Sequence, residues 1–171
     1  MSVSKGIVIS VWNGIVNFIK AKKAGFVFAL IRLGYGSFSY QIDEYYERNR
    51  EKAKAAGLKV GAYWQTYART ARMARVEAAG CIEVLNDMGI SLLDLPIFVK
   101  ANSTEAAKAF CGELQAAGYN ADVLTVNGGA FIDGVAVDTT EIKIKSAKKT
   151  AVKQPAEAAE SPVTDEKDKE V

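Results

Sequence analysis

Titratable side chains set the first limit on the chemistry open to this chain. It has no histidine among its 171 residues, which removes the usual general base near neutral pH and the commonest metal ligand. Acid–base work would therefore fall to carboxylates, tyrosines, lysines or cysteines. Cys81 and Cys111 each lie in a helix-like pattern that favours small buried side chains, and a disulfide between them is the alternative. Their spacing does not resemble a zinc site, so neither a metal nor a cofactor is predicted.

The apolar pattern of the chain alternates between strands and helices. Buried-strand patterns cover residues 6–11, 26–33, 58–67, 95–99 and 121–126. Helix-like patterns cover residues 16–24, 40–56 and 70–88, and a capping-box pattern at 102–105 opens a fourth helix that ends at 117. Two more strand patterns, 131–137 and 140–145, follow without a helix between them, which predicts a hairpin.

This alternation predicts an α/β fold with a parallel sheet. A regular eight-fold barrel needs roughly 250 residues, so the chain is too short for one. Two architectures are compatible with this length: a smaller or irregular barrel, and an open doubly wound sheet. In either architecture the functional site lies at the carboxyl ends of the strands. The segments that matter there are 10–13, 34–37, 64–67, 100–102 and 127–129.

Composition narrows the partners and the domain organisation. The net charge of +2 gives no electrostatic reason to expect nucleic acid, and no run of about 20 apolar residues predicts a membrane segment. The N-terminus does not resemble a signal peptide, so we expect synthesis in the cytoplasm, and work outside a cell would require that something else releases or carries the protein. Residues 1–145 are predicted to form one domain, and 146–171 a disordered charged tail.

Several segments resemble, in the same order, the family-25 glycoside hydrolases, the muramidases of phages and bacteria. The segments are GIVISVWNG at 6–14, FALIRLGYG at 28–36, AKAAGLKVGAYW at 53–64, LPIFV at 95–99 and the helix at 109–119. Each segment alone is a weak signal, but together they cover roughly residues 5 to 126. The resemblance implies an irregular, shortened (β/α) barrel, TIM-barrel-like, with a largely parallel sheet. It also implies peptidoglycan as the substrate.

The catalytic positions of that family have lost their carboxylates here. The family's opening strand carries an aspartate where this chain has Val8, and its fourth strand ends in an Asp-x-Glu motif where this chain has Lys100 and Asn102. A glycosidase normally needs two carboxyl groups across the scissile bond, and an amide cannot protonate a glycosidic oxygen. The resemblance therefore implies a protein without the family's catalytic residues.

Other carboxylates have simpler interpretations than catalysis. Asp43 matches a position that the family often keeps acidic, but a capping role at the entry to a helix is favoured. Glu105 fits the capping box, and Asp94 precedes a strand, at the wrong end of a barrel. Asp133 and Asp138 lie in the hairpin region and could approach the mouth, although nothing in the sequence pairs them.

Aromatic and amide side chains remain at the predicted mouth. Aromatic faces can stack on sugar rings, and amides can bind the hydroxyls. Alternation places Tyr63 and Gln65 on one face of their strand and Trp64 on the other. Arg32 is either an internal ion-pair partner or a hydroxyl donor. The ligand-binding candidates are Trp12, Tyr35, Tyr63, Gln65, Lys100 and Asn102.

Lys100 adds a charge that the family lacks. It predicts an anionic ligand, such as the lactyl carboxylate of muramic acid, unless it pairs internally with Asp43 or Asp138. The hypothesis that follows is a catalytically inactive muramidase-like protein that binds peptidoglycan or another amino-sugar glycan, or serves as a structural component, for example beside phage structural proteins. The alternative is an active N-acetylmuramidase that uses displaced carboxylates.

Overall fold

The computed structural model describes residues 2–89 and 93–144. The predicted tail, 146–171, and the last residue of the predicted hairpin, Lys145, lie outside these ranges. Within them no helix is both long enough and apolar enough to cross a bilayer.

The predicted order of strands and helices is confirmed, with shifts of a few residues at the ends. The strands are β1 Ser2–Ile9, β2 Phe28–Tyr35, β3 Lys59–Gln65, β4 Ile97–Lys100, β5 Ala121–Val123, β6 Gly128–Ile132 and β7 Val135–Ile144. The helices are α1 Phe18–Lys23, α2 Tyr46–Ala55, α3 Ala71–Asp87 and α4 Thr104–Ala116, and a 3-10 turn covers Val11–Asn13.

All seven strands belong to one sheet, in the order β5-β4-β3-β2-β1-β7-β6. Strands β1 to β5 are parallel to one another, whereas β7 runs antiparallel to both β1 and β6. The protein is α/β as predicted, but the expectation of a largely parallel sheet is wrong, because the last two strands are joined by a short turn that only antiparallel strands can use. The mixed sheet curls into a half-barrel, and the described strands do not close it into a TIM-like barrel.

The turn of the hairpin lies at Asp133–Gly134 rather than near residue 138, where the strand patterns predict it. Both residues have positive φ, 54° and 80°, as a two-residue hairpin turn requires. Asp-Gly is a dipeptide that favours such a turn, so this signal is present in the sequence. The shift matters because it moves Asp138 from the turn into the middle of β7.

The two faces of the sheet bury different side chains. Alternate strand residues, such as Ile7 and Ile9 of β1, pack under the helices in the main core, together with Phe110 of α4. Residues of the opposite parity form a smaller core on the concave face, including Val8, Phe28, Leu30, Tyr63 and Phe98. At the carboxyl ends of β1 to β4, the side chains of this concave face are the ones in position to form a site.

The two cysteines are buried, as their helix-like sequence pattern predicts. Cys81 of α3 and Cys111 of α4 are both buried free thiols. Among the described residues no cluster of three or more His, Cys, Asp or Glu side chains could hold a metal ion.

Candidate functional site

A cavity of about 670 Å³ opens at the carboxyl ends of β1 to β4. The β6–β7 hairpin forms its opposite wall. Its polar and aromatic lining comes from Ser10, Trp12, Asn13, Arg32, Tyr63, Gln65, Tyr67, Lys100, Asn102, Phe131 and Asp138, and its apolar and small lining from Val8, Gly129, Ala130, Ala136 and Val137. Its volume lies within the range of roughly 300 to 1,000 Å³ that is usual for small-ligand sites.

The three positions that the resemblance matches to catalytic acids, Val8, Lys100 and Asn102, line this cavity. Val8 comes from the concave face of β1, Lys100 ends β4, and Asn102 follows two residues later. None of the three carries a carboxyl group. Among the described residues that line the cavity, Asp138 supplies the one carboxylate.

Asp138 lies directly across the β-ladder from Val8. Paired residues of neighbouring strands point to the same face, so this carboxylate stands beside the Val8 side chain. The Lys100 ammonium lies 3.4 Å from Oδ2 of Asp138, and both side chains are partly exposed. Of the internal partners considered for Lys100, the structure therefore selects Asp138 and leaves the cavity open.

Strand β3 contributes the aromatic and amide groups by alternation. Tyr63 and Gln65 line the cavity, whereas Trp64 points into the main core and donates from Nε1 to the Gly36 carbonyl at 3.1 Å. The predicted split of this strand into two faces is confirmed. The Gln65 amide donates to the carbonyl of Lys100 at 3.2 Å, which ties the ends of β3 and β4 together.

Tyr63 is almost completely buried at the base of the cavity. Burial raises the pKa of its phenol well above the ordinary value, because the phenolate would lose its hydration. Tyr63 therefore keeps its proton at every physiological pH and can act as a hydrogen-bond donor or acceptor toward a ligand.

Of the two candidates Trp12 and Tyr35, only Trp12 lines the cavity. Trp12 projects from the 3-10 turn and is 84% exposed at the rim of the cavity. Tyr35 is not part of the cavity lining; its ring lies 5.0 Å from the guanidinium carbon of Arg32. Six of the seven named ligand-binding and degenerate catalytic positions thus share one cavity, and Tyr35 supports one of its walls instead.

The two alternatives for Arg32 are resolved by a direct contact. Its Nε donates to Oδ2 of Asp43 at 2.8 Å, in an ion pair whose side chains are 7% and 0% exposed. Asp43 also accepts from the backbone N–H of Val11 at 3.0 Å and of Tyr45 at 3.0 Å. With its oxygens so engaged and no contact with solvent, Asp43 is a structural anchor for the rim of the cavity.

The expected capping roles are only partly correct. Asp43 does lie at the entry to α2, but the N-cap residue is Tyr45, which makes no side-chain capping bond. Ser103 caps α4 by accepting from the Ala106 N–H at 3.2 Å. Glu105 is in the first turn but is not the third helical residue, so the predicted capping box is wrong by one position.

The remaining carboxylates lie away from the cavity. Asp94 accepts from the Val60 N–H at 3.1 Å near the amino end of β3, the end of the sheet that the sequence pattern predicts. Asp133 forms an ion pair with Lys20 and accepts from the Asn17 amide at 3.3 Å. Lys20 and Asn17 hold the pKa of the Asp133 carboxyl below its usual value.

Phe131 is an aromatic lining residue that the sequence pattern does not connect with the site. Phe131 of β6 is 78% exposed and faces the cavity. It pairs with Ala136 across the hairpin, on the same face as Asp138. Placing the turn at the Asp-Gly dipeptide reveals this alternation, which the predicted strand boundaries obscure.

The chain is similar to known proteins over most of its described length. The model of the family described as "Glycosyl hydrolases family 25" matches residues 7–128. A comparison with curated proteins gives no significant match.

Three solved structures illustrate the similarity. The modular autolysin LytC from Streptococcus pneumoniae, also solved with a synthetic peptidoglycan ligand, is 23% identical with a TM-score of 0.56 over 71% of this chain and 32% of its own. The CTP1L endolysin is 25% identical, with a TM-score of 0.55 over 70% of this chain and 44% of its own. A family GH25 lysozyme from Aspergillus fumigatus is 20% identical, with a TM-score of 0.54 over 71% of this chain and 65% of its own. This chain therefore spans between about a third and just under two thirds of these solved chains.

Proposed function

The chain belongs to glycosyl hydrolase family 25, and we propose that it is a non-catalytic member that binds cell-wall glycan in the cavity at the carboxyl ends of β1 to β4. The observation that carries the proposal is the side-chain content of that cavity. Val8, Lys100 and Asn102 occupy the family's acidic positions, and the described lining retains a single carboxylate, Asp138. Glycoside hydrolysis by the family's chemistry needs a pair.

The cavity retains what a sugar ligand requires. Trp12 and Phe131 present exposed aromatic faces at its rim, while Tyr63, Gln65 and Asn102 offer groups that can bind ring hydroxyls and acetamido groups. The autolysin LytC was solved with a synthetic peptidoglycan ligand, which supports peptidoglycan or a related amino-sugar glycan as the ligand here. We expect weak binding, with dissociation constants of about 0.1 to 1 mM.

One observation favours a second candidate, a hydrolase with displaced carboxylates. Asp138 faces the cavity directly across from Val8, so a carboxylate is present beside the vacated position. Asp138 would have to act with Asp43. The Asp43 carboxylate is fully buried, forms an ion pair with Arg32 and accepts from two backbone N–H groups. A carboxylate so held cannot exchange protons with a substrate without dismantling the ion pair.

Release of reducing ends from purified peptidoglycan distinguishes the two candidates. For the wild-type protein we expect release no faster than in buffer, beside an active family-25 muramidase as the positive control. Release that Asp138→Asn or Asp43→Asn abolishes would establish the hydrolase instead. The role as a structural part of a phage particle has no specific support in the described residues. Binding of cell-wall glycan would place the protein's site of action at the wall, whether it is released or carried there.

A further inference from the structure

Arg32 lies in the wall of the cavity with 93% of its side chain buried. Within the described residues its one protein hydrogen bond is from Nε to Asp43. A guanidinium has five N–H donors, so the four on Nη1 and Nη2 remain. Among the described residues these four N–H groups have no hydrogen-bond partner, and the space that Arg32 borders is the cavity.

The fork of Arg32 is held in one orientation. Asp43 fixes Nε, and Asp43 is itself held by the N–H groups of Val11 and Tyr45. The Tyr35 ring supports the guanidinium at 5.0 Å. A donor pair that is already immobilised loses little conformational entropy when a ligand binds, and a planar fork matches the two oxygens of a carboxylate.

The cavity does not supply a carboxylate of its own to this fork. Asp138, the one carboxylate in the described lining, lies 3.4 Å from the Lys100 ammonium and makes no hydrogen bond to Arg32. Asp43 offsets part of the guanidinium charge but occupies only the Nε side. The Nη side therefore offers four donors to an anionic group that arrives with a ligand.

Resting on the proposed function, we propose that Arg32 is the receptor for the carboxylate of an acidic amino sugar, and that the cavity selects such a sugar over a neutral N-acetylhexosamine. N-acetylmuramic acid with a free lactyl carboxylate is the ligand of this chemistry. Where a peptide is attached, the lactyl carboxyl becomes an amide and loses its charge. The site would therefore prefer glycan strands from which the peptides have been removed. Lys100, bound to Asp138, has the secondary role.

The test compares N-acetylmuramic acid with its methyl ester, in which a neutral ester, larger by one methyl group, replaces the lactyl carboxylate. Isothermal titration or amide chemical shifts should give at least about tenfold tighter binding of the acid, as expected for a charge-assisted bidentate contact. Arg32→Lys keeps a cation for Asp43 but lacks the fork, and should lose this ratio. Lys100→Met removes a cation that Asp138 already offsets in part, and should lower the ratio much less than Arg32→Lys does. Arg48→Lys, an arginine whose Nη2 binds Gly14 and Asn49 within the protein, is the matched control.

The outcomes separate this inference from the proposed function. Equal binding of acid and ester would overturn the role of Arg32 while leaving glycan binding in place. Loss of the ratio in Lys100→Met but not in Arg32→Lys would overturn the choice of Arg32. Binding of neither ligand at millimolar concentration would overturn both proposals. Circular dichroism of each variant establishes that the fold is intact, and the comparison of acid and ester in the wild type needs no variant.

Discussion

The Arg32–Asp43 ion pair is the single contact on which the rim of the cavity most depends. It joins β2 to the loop before α2 and, through the Val11 N–H, to the 3-10 turn that carries Trp12. Removing one partner of a buried pair leaves the other charge uncompensated, which is far more costly than losing an exposed pair.

Asp43→Ala should therefore lower the free energy of unfolding by about 3 to 5 kcal/mol. Urea denaturation with an unchanged m-value measures this loss. Glu47→Ala, which breaks the exposed pair with Arg50, is the matched control and should change stability by less than about 1 kcal/mol. Equal effects of the two substitutions would show that the buried pair does not anchor the rim of the cavity.

Tyr63 and Asn102 call for different substitutions because their burial differs. Tyr63 is almost fully buried in the concave core, so Tyr63→Ala would leave a large void and lower stability by about 3 to 5 kcal/mol. Tyr63→Phe keeps the volume and removes only the hydroxyl, while exposed Asn102 tolerates alanine. Titration of N-acetylmuramic acid should show weaker binding to Tyr63→Phe and Asn102→Ala at unchanged melting temperature. Unaltered affinity in both variants would remove these groups from the site.

At the scale of elements, two glycines should respond in opposite ways to substitution by alanine, because one lies in a turn and the other in a helix. Gly134 has a φ of 80° in the hairpin turn, whereas Gly112 lies within α4, where an added methyl group would meet no atom within 4 Å apart from the local backbone of its own helix. Gly134→Ala should destabilise the protein by about 1 to 2 kcal/mol, since an L side chain rarely adopts positive φ. Gly112→Ala should stabilise it by about 0.5 to 1 kcal/mol through helix propensity. Thermal melts compare the two, and a shift of the same sign in both would contradict the assignment of the turn.

The helices α3 and α4 shield the two thiols. Burial raises the pKa of Cys111 to about 11 and that of Cys81 further still. Because the folded-state pKa exceeds the unfolded value, near 8.5, the associated stability is complete below about pH 8 and is lost as pH rises toward 11. An aromatic disulfide reagent at pH 8 should titrate neither thiol in the native protein and both in denaturant. Rapid native labelling would show that the α3–α4 interface opens.

The order of the strands and helices can be predicted from the sequence because the spacing of apolar residues within each segment is typical of either a strand or a helix. The strand ends of the site can be located as well, since parallel strands bring those ends to one edge. The antiparallel end differs for a local reason: the strand patterns place the turn near Asp138, whereas the Asp133–Gly134 dipeptide fixes it earlier and brings Phe131 to the mouth. The Arg32–Asp43 pair could not be predicted, because it joins a strand to a loop whose path depends on tertiary packing.

At the scale of the whole molecule, the sheet gathers the groups of the candidate site around one cavity. The half-barrel brings β1, β3, β4 and the β6–β7 hairpin around one space of about 670 Å³. The charged side chains in its described lining are those of Arg32, Lys100 and Asp138, which are two cations and one anion. Such a cavity suits recognition of an anionic sugar better than protonation of a glycosidic bond.

Binding without cleavage is the central claim, and a single titration tests it most directly. A defined peptidoglycan oligosaccharide is added to the isotope-labelled protein, and spectra of protein amides and of sugar anomeric protons are followed over a day. We predict saturable shifts of the amides of Tyr63, Gln65, Lys100 and Asn102, with anomeric signals that stay unchanged. New reducing-end signals that grow with time would contradict the account, as would an absence of shifts around the cavity at millimolar ligand.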